Sequence, residues 1–509
     1  MDRRSFLKAT AYAASLASLP GIAFSARAAD SKILRMGYGS DVLTLDPIKT
    51  VYGSDIIIQG MMFARLLQAN ADRSEVGPGL AEKWDISEDG KTYTFYLRDA
   101  KFSDGSPITA EDVAFSYTRM RFQKDSAYAA PFQPLKEAKA KDAKTVVFTL
   151  DRRFTPFLTL TEIWNTGIVP KAAVEKMGDD AYAKAPVTSG PFKFVEWKPG
   201  DRVVLARNEH YYKEGLPHLD GLEFRYVADD NTRVSMLQAG EIDVCIGYPV
   251  ARQPELKAAG FRADADISSV TYDMLINHSK APFDNLKFRQ AISHGIDRQA
   301  IADAVTLGSG RPATSIFSPE LNFFDKSLPL IQRDVEKAKG LLADSGVADP
   351  SFELLVSAGI ADDEKTAVLV QAQLAEIGIT VTVSKIDSTS VWTRLIDGDY
   401  QAELNWWYNE TRDPDNALRW CAWGAGDNKS YYTRYNNEEV NKLIDEAAGE
   451  TDDAKRGALY AQIQKICVDE VAQVAMFHPN WLNGYSPKVK DLILNIGLQF
   501  SEIDQTDLV

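Results

Sequence analysis

Between Asn405 and Asn416 the chain reads Asn-Trp-Trp-Tyr-Asn-Glu-Thr-Arg-Asp-Pro-Asp-Asn, large aromatics followed by acids and amides in a turn. The chemistry open to Trp406, Trp407, Tyr408, Asn409, Glu410 and Asp413 is recognition, because aromatic faces line a pocket or receive a cation, and amides and carboxylates orient a polar guest. Trp392, Trp420 and Trp423 lie close by, so five tryptophans fall within 32 residues. The run follows an apolar strand pattern, Ala402 to Trp407, and in an open α/β sheet ligands collect outside the carboxyl ends of strands. Alternation along that strand turns Trp406 and Trp407 to opposite faces, which predicts one in the core and at least one in the pocket. Asp413-Pro414-Asp415-Asn416 lacks the further oxygen ligands and the glycine of a calcium loop, so it reads as a turn with helix-capping acids.

Catalytic signatures are missing. The sequence holds no GxSxG elbow, HExxH, P-loop or dinucleotide glycine fingerprint, and its one Ser-x-x-Lys, Ser5 to Lys8, falls at the very start. The five histidines, His210, His218, His278, His294 and His478, are isolated and show no metal-ligand spacing. Cys245, Cys421 and Cys467 are too few for a disulfide framework, and Cys245 sits in the apolar run Ile242 to Ile246 as a small buried hydrophobe. No cofactor and no metal are expected.

The 509 residues carry a net charge of −15. Arg3, Arg4, Lys8 and Arg27 against Asp2 leave residues 1–29 at +3 and the remainder at −18. Such an acidic body repels phosphate backbones and anionic headgroups, which excludes nucleic acid as a partner. Residues 1–29 read as a processing segment: a charged start, a mildly apolar middle, and Ala26-Arg27-Ala28-Ala29. Arg3-Arg4-Ser5-Phe6-Leu7-Lys8 resembles a twin-arginine export signal, and no cysteine follows to accept a lipid. A freely diffusing periplasmic protein, acting as a monomer, is expected.

These side chains must be positioned by a large mixed α/β fold. Ile33 to Tyr38 alternates as a strand, and Ile56 to Leu67 has a helical apolar pattern. From Leu80 the texture becomes a hairpin with turns at Asp89-Gly90 and Asp104-Gly105, in which Tyr93, Phe95 and Leu97 share a face; Thr109-Ala110-Glu111-Asp112 then opens a helix. Gly190-Pro191-Phe192 punctuates a return to strands. After Asn277 helices and strands alternate, with helices at Asp363 to Glu376 and Thr389 to Ile396 and strands at Phe352 to Val356, Ile379 to Val383 and Ala402 to Trp407. Such alternation implies a sheet covered by helices on both faces.

Several blocks together resemble the periplasmic solute receptors of the peptide/nickel class that feed ABC importers. They are Leu80-Ala81-Glu82-Lys83-Trp84 with Ser87-Glu88-Asp89-Gly90; Phe102-Ser103-Asp104-Gly105-Ser106-Pro107-Ile108-Thr109-Ala110-Glu111-Asp112-Val113; Ser189-Gly190-Pro191-Phe192-Lys193; and Arg289-Gln290-Ala291-Ile292-Ser293 with Ile296-Asp297-Arg298. The resemblance implies an α/β receptor of two lobes with a small α+β domain inserted in the first, closing by a hinge over its guest and docking on importer permease subunits. The boundaries expected are 1–29 for the signal, 30–62 and 190–276 for the first lobe, 63–189 for the inserted domain, 277–482 for the second lobe, and 483–509 for the return to the first.

The resemblance also assigns Trp407-Tyr408-Asn409-Glu410 to a position that reads Trp-x-x-Asp in peptide receptors, where the acid holds the ligand's α-ammonium. Glu410 keeps the charge but moves it by a methylene. Dipeptide-specific relatives carry a carboxylate-gripping arginine in the segment corresponding to Val356 to Val370; here that segment has only Lys365, with Arg394 and Arg412 as substitutes from elsewhere. Ser40, after the first strand, completes the expected contacts. A peptide or peptide-like amine is the expected guest. The alternatives are a metal chelate, haem, an opine- or sugar-like compound, a chemoreceptor adaptor, or an enzyme built on the same scaffold.

Overall fold

The computed structural model describes residues 31–70, 75–425, 433–495, 497 and 499–509. The export-signal reading of residues 1–29 lies outside them. Three sheets organise the chain. The first has seven strands in the order Ala265–Asp266, Trp481–Tyr485, Val244–Ile246, Ile33–Tyr38, Gly221–Tyr226, Arg202–Arg207, Phe192–Lys198. Its centre is Ile33–Tyr38, which pairs in parallel with the strands on either side.

The chain leaves this sheet after Tyr38 and re-enters it at Phe192. In between it builds a four-stranded antiparallel sheet, ordered Ala81–Ile86, Thr92–Leu97, Thr145–Leu150, Leu135–Ala140. The expected alternation holds: Tyr93, Phe95 and Leu97 are buried on one face, where the ring of Phe95 meets Phe148 edge-on at 5.4 Å. Helix Ala110–Phe122 packs on this sheet. It starts as its sequence predicts, with the Thr109 side chain accepting from the Asp112 amide and the Asp112 carboxylate accepting from the Thr109 amide, a capping box.

The helical pattern expected from Ile56 to Leu67 stops early. The helix is Gly53–Met62, after which Phe63 turns extended. The Arg65 and Leu66 carbonyls accept from the amides of Leu80 and Ala81 at 2.9 Å, so Leu66 and Leu67 are buried in extended chain. Burial alone cannot distinguish these two outcomes, and here the long-range backbone pairing decided.

The third sheet has six strands in the order Arg311–Pro312, Val474–His478, Thr271–Ile276, Ala402–Trp407, Ser351–Ser357, Thr380–Ile386. One apolar cluster, including Met274, Phe288, Leu354, Val370 and Met476, fills the space between this sheet and helices Leu286–Gly295, Arg298–Thr306 and Ala361–Ala375. The three cysteines are free and buried. Among the described residues no helix is long and apolar enough to cross a membrane.

Candidate functional site

Strand Ser351–Ser357 pairs in parallel with Thr380–Ile386 on one side and Ala402–Trp407 on the other. The chain leaves it through helix Ala361–Ala375 to the first neighbour, then crosses through helix Ser388–Asp397 to the second. This reversal of direction is a topological switch point, where a crevice opens at the carboxyl ends of the strands. Pairing of Ser351–Ser357 with Ala402–Trp407 is confined to Leu354 with Ala402 and Leu355 with Glu403, so the two strands part beyond Glu403.

A cavity of about 500 Å³ fills the gap. Its floor is the diverging strand end, Glu403 to Tyr408, with Glu410; its sides are Ser357, Ile360 and Asp363 after one strand and Ser388, Val391 and Trp392 from the crossing helix. Val51, Tyr52 and Gly53, at the start of the first helix, and Ala127, Tyr128 and Trp164 from the inserted unit close it from the opposite side. The cavity therefore lies between lobes.

Of the residues expected from sequence, Glu410, Trp406, Trp407 and Tyr408 line it. Glu410 is 2% exposed and accepts a hydrogen bond from Asn416 Nδ2 at 2.6 Å. Both tryptophans reach the cavity, where at least one is expected, and Trp407 also packs on a core cluster. The cavity wraps the frayed end of the strand, so side chains of both faces meet it. Trp406 is 41% exposed, while Trp407 also packs against the small cluster of Leu275, Leu355, Leu395, Tyr400 and Cys421. Trp392 and Trp420 join them; Trp423 lies elsewhere, in the cluster under helices Glu438–Gly449 and Asp453–Asp469, with the Arg419 guanidinium 5.2 Å from its ring.

Three expected contacts stand outside the lining. Asn409 is buried, its amide nitrogen donating to the Asp413 carbonyl at 3.0 Å and its backbone bonded both ways to Ser269 Oγ. Asp413 forms a buried ion pair with Arg456 at 2.7 Å and accepts from the Asp415 amide, a structural role that fits the capping-acid reading of this turn. Ser40 is exposed on the first lobe. Gly497 backs the same loop: a Cβ there would come 2.7 Å from the Glu410 carbonyl oxygen, so only glycine lets the returning chain approach.

None of the three candidate carboxylate grips lines the cavity. Lys365 is exposed and donates to the Ala304 carbonyl, Arg394 pairs with Glu353 at 2.7 Å, and Arg412 donates to the Glu320 carbonyl at 2.8 Å. Among the described residues no Lys, Arg or His lines the cavity. Instead it has two carboxyls that the sequence reading missed. Asp363 is buried and accepts from the Tyr272 hydroxyl; Glu403 is buried and accepts from Asn405 Nδ2 at 3.1 Å. Burial pushes Asp363 up to about 7 and Glu403 up to about 8. Glu403 carried a usable signal, being a lone acid in the middle strand of the site, between Ala402 and Leu404. Tyr128 and Trp164 carried none.

No group of His, Cys, Asp or Glu among the described residues could hold a metal ion. His478 is buried and His278 half-buried; both hydrogen-bond locally, and desolvation pushes both down to about 3.

Residues 75–429 match the family described as bacterial extracellular solute-binding proteins, family 5 middle, and the chain belongs to this family. The probable D,D-dipeptide-binding periplasmic protein DdpA of Escherichia coli is 31% identical over 480 residues, covering 91% of this chain and 92% of that protein. Heme-binding protein A of Haemophilus influenzae is 28% identical, covering 85% and 84%. Among solved structures, the periplasmic binding protein AgaA of A. tumefaciens R10 with agropinic acid superposes with a TM-score of 0.85 at 26% identity, covering 94% of this chain and 99% of that one. Helicobacter pylori DppA with the peptide STSA also gives 0.85, at 25% identity and 94% and 98% coverage. The fold is thus the two-lobed receptor fold expected, and these relatives are binding proteins.

Proposed function

We propose that this protein is the substrate-binding component of an ABC importer and captures a peptide or peptide-like solute through a positively charged amine. The observation that carries this reading is the interlobe cavity, which presents Glu410 among aromatic faces and has no basic residue among its described lining. An ammonium replaces its lost hydration there with a carboxylate and π faces, while an anionic guest such as an opine or haem propionate meets only like charge. The missing guanidinium argues against a guest gripped by its carboxylate, and so against strict dipeptide recognition.

Closure follows from ordinary linkage: a guest touching both lobes favours the closed arrangement by its differential affinity, and an importer then recognises that shape. Export through the twin-arginine-like segment, life in the periplasm as a monomer, and docking on permease subunits complete the proposal. Strand membership agrees with the lobe boundaries at 62 and 189, but Thr271–Ile276 pairs in the sheet of the second lobe and Trp481–Tyr485 in that of the first, so those at 276 and 482 move to about 270 and 480. Extraction of the purified protein and mass spectrometry of what it carries tests the reading. An amine-bearing compound is expected, and Glu410→Gln should weaken its binding by about 1–3 kcal/mol, the magnitude of a hydrogen bond to a charged group. A guest lacking any amine, or unchanged affinity in the variant, would overturn it.

A further inference from the structure

Several carboxylates buried away from the cavity have resident cations, although Asp55 is held by Thr50 and the Leu43 amide and Asp273 by Gln473. Asp46 is paired with Arg119, Asp413 with Arg456 and Asp415 with Arg419, at 2.5, 2.7 and 2.9 Å. Asp363 and Glu403 differ. Both line the interlobe cavity, each is held only by a neutral donor, Tyr272 or Asn405, and Glu403 feels the charge of Asp363. The groups around them supply no cation: Asp362 and Glu364 flank Asp363 on its own helix, Lys365 is engaged by the Ala304 carbonyl, Tyr400 lies beside Glu403, and Arg434 on that side donates to the Ile396 carbonyl. A second, independent sign of an unmet partner lies in the opposite wall, where the indole N–H of Trp164 is 1% exposed and has no acceptor.

We propose that Asp363 and Glu403 form a second cation subsite in this cavity, so that the guest carries two positive groups, one for Glu410 and one for this pair, and a hydrogen-bond acceptor for Trp164. This rests on the amine reading above and narrows it to a doubly cationic solute: a peptide with a basic side chain, or a free diamine. The empty pair holds protons near neutral pH because burial disfavours its charged form, and a bound cation displaces them.

Titration calorimetry on the unliganded full chain distinguishes the cases with Ala-Lys, Ala-Leu, N-acetyl-Ala-Leu and pentane-1,5-diamine. Ala-Lys is expected to bind at least tenfold tighter than Ala-Leu, and Asp363→Asn or Glu403→Gln to cut that preference about tenfold. At pH 7, in buffers of differing ionisation heat, wild-type protein should release more protons on binding Ala-Lys than Ala-Leu, a readout independent of whether the variants fold well. Equal affinity and equal proton release for the two peptides would overturn the second subsite alone. N-acetyl-Ala-Leu binding as tightly as Ala-Leu would overturn the amine reading beneath it, and no binding by any probe would overturn both. Tight binding of the diamine without the peptides would assign the pair to a free diamine.

Discussion

The side-chain amide of Asn416 lies 2.6 Å from the phenol oxygen of Tyr128, joining the second lobe to the unit inserted in the first. The same amide reaches Glu410 at 2.6 Å, and the Tyr128 phenol is held up by burial and by that carboxylate. The contact between the lobes and Glu410, the proposed anchor, thus share one hydrogen-bonded group. Tyr128→Phe keeps the ring against Trp164, 5.0 Å away, but removes the link. It should raise the Kd about 5- to 30-fold, equivalent to about 1–2 kcal/mol, and solution scattering should show a more open envelope at equal ligand occupancy.

Trp406 is the cavity tryptophan least tied to the core, 41% exposed. Its replacement by alanine should weaken a cationic guest by about 0.5–2 kcal/mol through loss of the π face and leave the melting temperature nearly unchanged. Trp407→Ala should lower both, because Trp407 also packs against the Leu355 and Leu395 cluster. Calorimetry and thermal melts on the two variants check the contrast.

Asp413 balances Arg456 inside the protein, and both are buried. Asp413→Asn leaves the guanidinium uncompensated and should cost about 3–5 kcal/mol of stability, measured by denaturant unfolding. Ligand affinity of the folded fraction should stay within twofold, whereas a ligand contact would lose far more.

Stability of the unliganded protein should respond to Asp363 and Glu403 above pH 6.5. Both carboxyls titrate higher in the folded chain than unfolded, so the folded state binds more protons and loses stability as pH rises toward 8. His278 and His478, pushed down to about 3, act oppositely but only below about pH 6.5. Between pH 6.5 and 8 the melting temperature of wild type should fall relative to Asp363→Asn. Parallel curves would show that the carboxyl is not titrating in that window.

What the residues determined by themselves was local. The strand Ala402–Trp407 is where alternation and apolarity predict it, the Thr109 cap closes as its spacing requires, and the aromatic and acidic run around Glu410 marks the cavity floor. Each follows from forces acting over a few neighbouring residues. Tertiary structure decided which side chains share the cavity. Asp363 and Glu403 are 40 positions apart and meet because Ser351–Ser357 and Ala402–Trp407 are adjacent parallel strands that part at their ends. Tyr128 and Trp164 arrive from the inserted unit, and Asn409 and Asp413, adjacent in sequence to the anchor, turn inward to hold the loop. A side chain's direction at a strand end depends on where its neighbours diverge, and that divergence is a property of the whole sheet rather than of any short stretch of chain.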